Sequence, residues 1–216
     1  MKASTKKMAV FMIMIAMALF IMAALASAHD HDWKGIHGEY AMTGTNICII
    51  APGGLTPDLK PTVAGLIQSS SREGVVTFEP HGTGSAVIFA RNISLPVYPT
   101  GNLPPYSVLS PGASTAEVTF DFTYTLEKDG TITMVAGPGP YSSTTLTGPD
   151  AGKTFYITGA SFNGVITPDR KTITLNAGAP DVYGITQKDN PSFNAQSICH
   201  FSSVLICTRG HACDRD

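Results

Sequence analysis

Between Glu117 and Glu127 the chain alternates without a break: Val118, Phe120, Phe122, Tyr124 and Leu126 are apolar, while Thr119, Asp121, Thr123 and Thr125 are polar. A period of two fits a strand with one buried and one wet face, because successive side chains leave a pleated backbone on opposite sides. Lys128-Asp129-Gly130 follows, and Thr131 to Val135 then sets Ile132 and Met134 on one face. This predicts an antiparallel hairpin whose Asp-Gly supplies the positive φ angles of the turn. A second hairpin is expected from Phe162 to Thr167, the turn Pro168-Asp169-Arg170-Lys171, and Thr172 to Ala177, where Ile173 and Leu175 share a face.

Shorter runs of β-branched and aromatic residues, each closed by Gly, Pro, Asp or Asn, predict further strands. They lie at Gly38 to Met42, Asn46 to Ala51, Val63 to Gln68, Gly74 to Glu79, Ser85 to Asn92, Ser143 to Thr147, Lys153 to Thr158, Val182 to Gln187 and Gln196 to Cys207. No segment carries a helical period, since Ser, Thr, Gly and Pro interrupt every candidate beyond about two turns. Eight to twelve strands in one small domain must curl, because open edges invite aggregation. The expected fold is therefore all-β, an antiparallel meander β-barrel, with a two-sheet sandwich as the second choice. Ser94 to Gly112, which holds five Pro around Tyr98 and Tyr106, reads as a long loop over one end and the mouth of any hollow interior.

The first 28 residues stand apart from this pattern. Lys2, Lys6 and Lys7 precede an apolar run from Met8 to Ala26, and Ala26-Ser27-Ala28 offers the small residues a signal peptidase reads. The expectation is a signal peptide over 1–28 and one domain over 29–216, exported to a periplasmic or extracellular setting. An uncleaved anchor is the alternative, since about 20 apolar residues span a bilayer. Cleavage removes three of the 14 basic residues and none of the 16 acidic ones, leaving about five net negative charges with His neutral. A mildly acidic chain without basic clusters has no footprint for nucleic acid, and no second apolar run of spanning length follows.

Four cysteines, at 48, 199, 207 and 213, all follow the leader and suit an oxidising compartment. Three pairings are possible. Cys199 and Cys207 would share a face on one regular strand and could not bond along it. The favoured arrangement joins Cys48 to Cys199, elements that become neighbours when a barrel closes, and Cys207 to Cys213 across a small terminal loop. Gly38-x-Tyr40, Gly44, Cys48, Phe155-x-Ile157-x-Gly159 and Ile198-Cys199-His200-x-Ser202-x-Val204-Leu205-Ile206 together resemble a group of uncharacterised exported bacterial proteins with lipocalin-like, calycin-type β-barrels. The resemblance spans most of the mature chain. It implies the barrel and the pairing of Cys48 with Cys199, and it implies no activity.

Motifs for a nucleophile elbow, a zinc protease, a phosphate loop and a dinucleotide site are absent from the sequence. His81-Gly82-Thr83-Gly84-Ser85 lacks a following helix and reads as a β-turn. Glu39, Glu79, Glu117 and Asp121 lie in or at the ends of strands, as solvated faces or, less readily, as a glycosidase pair. His200 reads as a strand residue facing away from Cys199 and Phe201. Cys207, His211 and Cys213 fit a disulfide better than a zinc site, and Asn92-Ile93-Ser94 fits a glycosylation acceptor.

The expected function is binding without catalysis. Phe120, Phe122, Tyr124, Ile157 and Ile173 are the candidates to line a cavity for one small apolar ligand, the partner this reading implies. The alternative is a structural or surface-interaction protein with a filled core. A third reading follows from cleavage after Ala28, which would expose His29-Asp30-His31. The amine, two amides and the His31 ring could then hold Cu(II) or Ni(II) in square-planar nitrogen geometry, or His29 could chelate copper through its amine and ring.

Overall fold

The computed structural model describes residues 36–97, 110–137, 139, 141–176, 182–210 and 213. Among them are eleven strands: β1 (Gly38–Ala51), β2 (Gly65–Glu79), β3 (Thr83–Val97), β4 (Gly112–Leu126), β5 (Thr131–Ala136), β6 (Tyr141–Thr147), β7 (Thr154–Thr158), β8 (Ser161–Ile166), β9 (Thr172–Asn176), β10 (Val182–Gln187) and β11 (Asn190–Arg209). No helix occurs among the described residues. Residues 1–35, which include the expected signal peptide, and the centre of the Pro-rich segment, 98–109, lie outside them.

All pairings are antiparallel, and the sheet closes on itself where β1 pairs β11 from Glu39↔Arg209 to Ala51↔Gln196. The chain is thus an all-β antiparallel barrel, but the simple meander stops at β5, which lies beside β8 and not β6. β4 pairs β5 through Phe122–Leu126 and β6 through Thr115–Thr119. β11 likewise pairs β9 through Ser202–Ile206 and β10 through Asn190–Ile198. Between these two long strands the wall consists of two stacked tiers, β5-β8-β9 and β6-β7-β10. Either route round the ring passes through eight strands. The Ala136 amide donates to the Ala160 carbonyl at 3.0 Å and the Gly137 amide to that of Asp121 at 2.9 Å, which satisfies backbone groups where the chain changes tier.

Two expected breaks are continuous strand. Gly38 to Met42 and Asn46 to Ala51 are halves of β1, and the polar run Ser69 to Glu73 continues β2 between its two apolar ends. Ladder hydrogen bonds use backbone groups and do not require apolar side chains. The hairpin after β4 also differs in detail. Gly130 has φ 86° and Asp129 keeps a negative φ. Asp129 instead accepts the Thr131 amide through Oδ1 at 2.9 Å, and the Gly130 amide donates to the Glu127 carbonyl at 3.0 Å. This is the three-residue hairpin loop, a turn closed by one left-handed residue.

Even-numbered residues of β1 to β4 and odd-numbered residues of β9 and β11 point inward. Toward the β5-β8-β9 end this face is aromatic. The Phe78 ring meets those of Tyr40, Phe122 and Tyr124 edge-to-face, with centroids 5.2, 5.3 and 5.2 Å apart, a geometry the ring quadrupoles favour. Tyr40 donates its hydroxyl to the Arg170 carbonyl at 2.8 Å, and Tyr124 donates to that of Ile36. Burial disfavours the phenolate, so both hydroxyls titrate above their ordinary range.

Candidate functional site

Above the aromatic floor the inward residues change in kind. One cross-strand row runs Asn46↔Ser70↔Asn92↔Ser114 over β1 to β4, with Cys48↔Gln68↔Ser94↔Gly112 next to it. Ser70 donates to Asn92 Oδ1 at 2.7 Å, Asn92 Nδ2 to Ser114 Oγ at 3.4 Å, and Gln68 Nε2 to Ser94 Oγ at 3.3 Å. These bonds relieve most of the cost of burying amides and hydroxyls in a protein interior. Asn46 is an exception: it is 4% exposed, and its Oδ1 has no partner among the described residues.

These rows border a cavity of about 130 Å³. Its wall is mixed on both sides. Strands β1 to β4 bring the polar rows together with Ile50, Leu66 and Val118, and the β6-β7-β10 tier brings Phe155, Ile157 and Ile185 together with Ser143 and Thr145. Phe162, Phe201 and Tyr141 form the floor, while the exposed Ser110, Gly112 and Pro149 border the far end. The volume is close to the ~150 Å³ of a cavity that admits benzene, and below the ~300 Å³ where drug-sized pockets begin.

Of the five residues expected to line a cavity, Ile157 does so. Phe120, Phe122, Tyr124 and Ile173 do not, and are 7%, 1%, 7% and 0% exposed within the packed floor. Large rings fill the space they face, so the strongest strand signal marks solid core. Sequence reasoning passed over Asn46, Gln68, Arg72 and Ser114, and read Asn92 as a glycosylation acceptor. Their signal was parity: each shares its alternation with the apolar inward residues of its own strand.

Cys48 and Cys199 are directly opposed across the β1–β11 seam and form a disulfide with Cα atoms 4.1 Å apart. Cys207 is bonded to Cys213. Both favoured pairings are therefore present, and two disulfides point to a compartment outside the reducing cytoplasm. Around the first bond, Cys48, Ile50, Leu66, Phe193 and Ala195 form a small apolar cluster.

The remaining candidates fall outside this site. Glu39, Glu79, Glu117 and Asp121 occupy outward positions of their strands, and His200 is exposed on β11. The side chain of Asn92 points inward to Ser70 and Ser114, which withdraws it from any glycosylation of the folded chain. His81 and Gly82, with φ 77° and 82°, form the β-turn between β2 and β3. His29, His31 and His211 lie outside the described residues, among which no cluster of His, Cys, Asp and Glu suited to a metal ion occurs. No described helix is long and apolar enough to cross a membrane. No family model, curated protein or solved structure matches the chain.

Proposed function

We propose that the protein is an exported, lipocalin-like barrel that encapsulates one small, partly apolar ligand without changing it chemically. The observation that carries this reading is the placement of the cavity of about 130 Å³, at the level where inward residues turn from large aromatics to Gly, Ala, Ser and Asn. A fold selected only for stability gains from filling such a space, since each unfilled methyl-sized gap costs about 1 kcal/mol. The apolar wall of Phe155, Ile157 and Ile185 supplies the driving force for a hydrocarbon body, and the residues of β1 to β4 orient its polar part. The disulfides and the leader-like 1–28 support export.

Saturable one-to-one binding of toluene or benzyl alcohol, followed by NMR on the mature chain, tests this. Ala90→Leu, which adds bulk to a cavity-lining position on β3, should abolish it while the circular dichroism spectrum stays that of the parent. Undiminished binding to the variant would refute encapsulation at this site.

A second reading, association through the outer wall, has one observation in its favour. On adjacent β2 and β3, Ile67, Ile93 and Leu95 are 39%, 61% and 61% exposed, and Ile67 is directly opposite Leu95. Concentration-dependent sedimentation that Leu95→Lys abolishes would support it.

A further inference from the structure

Arg72 is a cation turned into the barrel. It lies on β2 at an inward position, opposite Gly44 on β1 and Ala90 on β3, and it lines the cavity. Ala90 is a small neighbour, whereas Gly44 makes room for β11. A Cβ added at Gly44 would fall 2.6 Å from the Ser202 carbonyl oxygen, so β11 already occupies the remaining space there. Arg72 Nη1 donates to the Tyr141 hydroxyl at 3.4 Å, and the guanidinium carbon stands 6.0 Å from the centroid of the Phe201 ring.

Its Nε is buried with no hydrogen-bond partner, and no ion pair reaches Arg72 from the described residues. The other titratable groups that line the cavity are Tyr141, Tyr183 and Asp150. Asp150 is already engaged: its Oδ1 accepts from Lys153 Nζ at 2.6 Å and its Oδ2 from the Ser110 amide at 3.3 Å. The Tyr141 hydroxyl accepts from Arg72, and its own proton has no acceptor among the described residues. A cation without a counter-charge and a hydroxyl proton without an acceptor among the described residues thus line the same cavity. A guanidinium does not lose its proton in a protein, and withdrawing it from water without a counter-charge is costly.

We propose that the ligand of this cavity is a small organic carboxylate, bound through its oxygens to the Arg72 guanidinium and the Tyr141 hydroxyl with its hydrocarbon body against Ile157 and Ile185. The inference deepens the encapsulation reading and rests on it. One guanidinium balances one negative charge, which favours a monoanion over a phosphate dianion. Phe155, Ile157 and Ile185 add apolar surface that a bare inorganic anion would leave uncovered.

The test compares benzoate with its neutral isostere benzamide by calorimetry on the mature, oxidised chain. Benzoate should bind about tenfold to a hundredfold more tightly, the range expected for hydrogen bonds to a charged group. Arg72→Met should bring the benzoate-to-benzamide ratio close to one. Tyr141→Phe, which retains the ring whose centroid lies 4.7 Å from that of Phe120, should lower the ratio several-fold and guards against misfolding of the first variant. Equal binding of both probes to the parent would overturn the carboxylate and leave encapsulation standing. Saturable binding of neither would overturn encapsulation as well. Displacement of benzoate by equimolar inorganic phosphate would overturn the organic half of the proposal.

Discussion

Cutting the disulfide between Cys48 and Cys199 should cost this barrel a large share of its stability. The bond closes a loop with a sequence separation of 151, across the seam where β1 meets β11. In the chain-entropy treatment a loop of that length lowers the free energy of folding by about 5 kcal/mol at 25 °C. That is a third or more of the ~5–15 kcal/mol typical of a domain, and for a chain of this size it corresponds to a fall in Tm of about 10–20 °C. The assay is urea unfolding of a Cys207→Ser/Cys213→Ser background with and without reductant, which removes the short-loop bond from the comparison. Reduction leaves both sulfurs in place, so the difference reports the cross-link and not the packing of Cys48 in its apolar cluster. The slope of free energy against urea should also rise, because an uncrosslinked chain exposes more surface on unfolding. A loss below about 1 kcal/mol with an unchanged slope would refute the reasoning, and would mean that β1 and β11 stay associated in the denatured ensemble without the bond.

Gly44→Ala should destabilise by about 1–3 kcal/mol, since its Cβ would sit 2.6 Å from the Ser202 carbonyl oxygen, a backbone atom; calorimetric Tm checks it. Tyr40 and Tyr124 titrate above the ordinary tyrosine range in the fold, so the stability linked to them is complete below about pH 10 and is lost as pH rises beyond it. Tyr40→Phe should flatten that alkaline limb in urea midpoints measured from pH 9 to 11. Asp169 is held below the ordinary carboxylate range, chiefly by the Thr167 hydroxyl and then by the Lys171 amide. Its contribution is therefore present above about pH 4 and lost as pH falls through the lower folded value, and Asp169→Asn should reduce the slope of stability in that window. Arg72→Met should raise the urea midpoint of the ligand-free protein, because an apolar chain of similar length replaces a cation without a counter-charge; a fall in midpoint would show that the contacts to Tyr141 and Phe201 outweigh desolvation.

The class of fold was legible because alternation is a local signal. Val118 to Leu126 shows its two faces in the sequence, and the structure places those faces as expected. The tiered wall was not legible, since it depends on β4 dividing its pairing between β5 and β6, and nothing in Thr115 to Leu126 marks where one partner gives way to the other. The continuity of β2 was hidden for a different reason. Ser69-Ser70-Ser71-Arg72-Glu73 has the composition of a loop, yet Ser70 and Arg72 fall on the inward parity of Leu66, Val76 and Phe78. Polar residues read as a break on the assumption that inward means apolar, and that assumption fails where the interior is hollow.

The same failure explains why the candidate lining residues moved. Alternation specifies which side of the wall a residue faces and says nothing of its height along the barrel. Phe120 and Phe122 share a face with Ala116 and Ser114, but the first two pack into the floor and the latter two border the cavity. Height follows from register, and register joins Arg72 to Gly44 and Ala90, residues far apart in sequence that are informative only together. The two tiers then divide the work of the fold. Ile132, Met134 and Ile173 are at most 1% exposed in the β5-β8-β9 tier, whereas Phe155, Ile157 and Ile185 in the other tier are only partly buried and face the cavity. Burial of the first group, at about 25 cal/mol per Å² of apolar surface, lets the barrel tolerate an unpaired cation one level higher. Substitutions in the β5-β8-β9 tier should accordingly change stability ahead of ligand affinity, and those in the β6-β7-β10 tier the reverse.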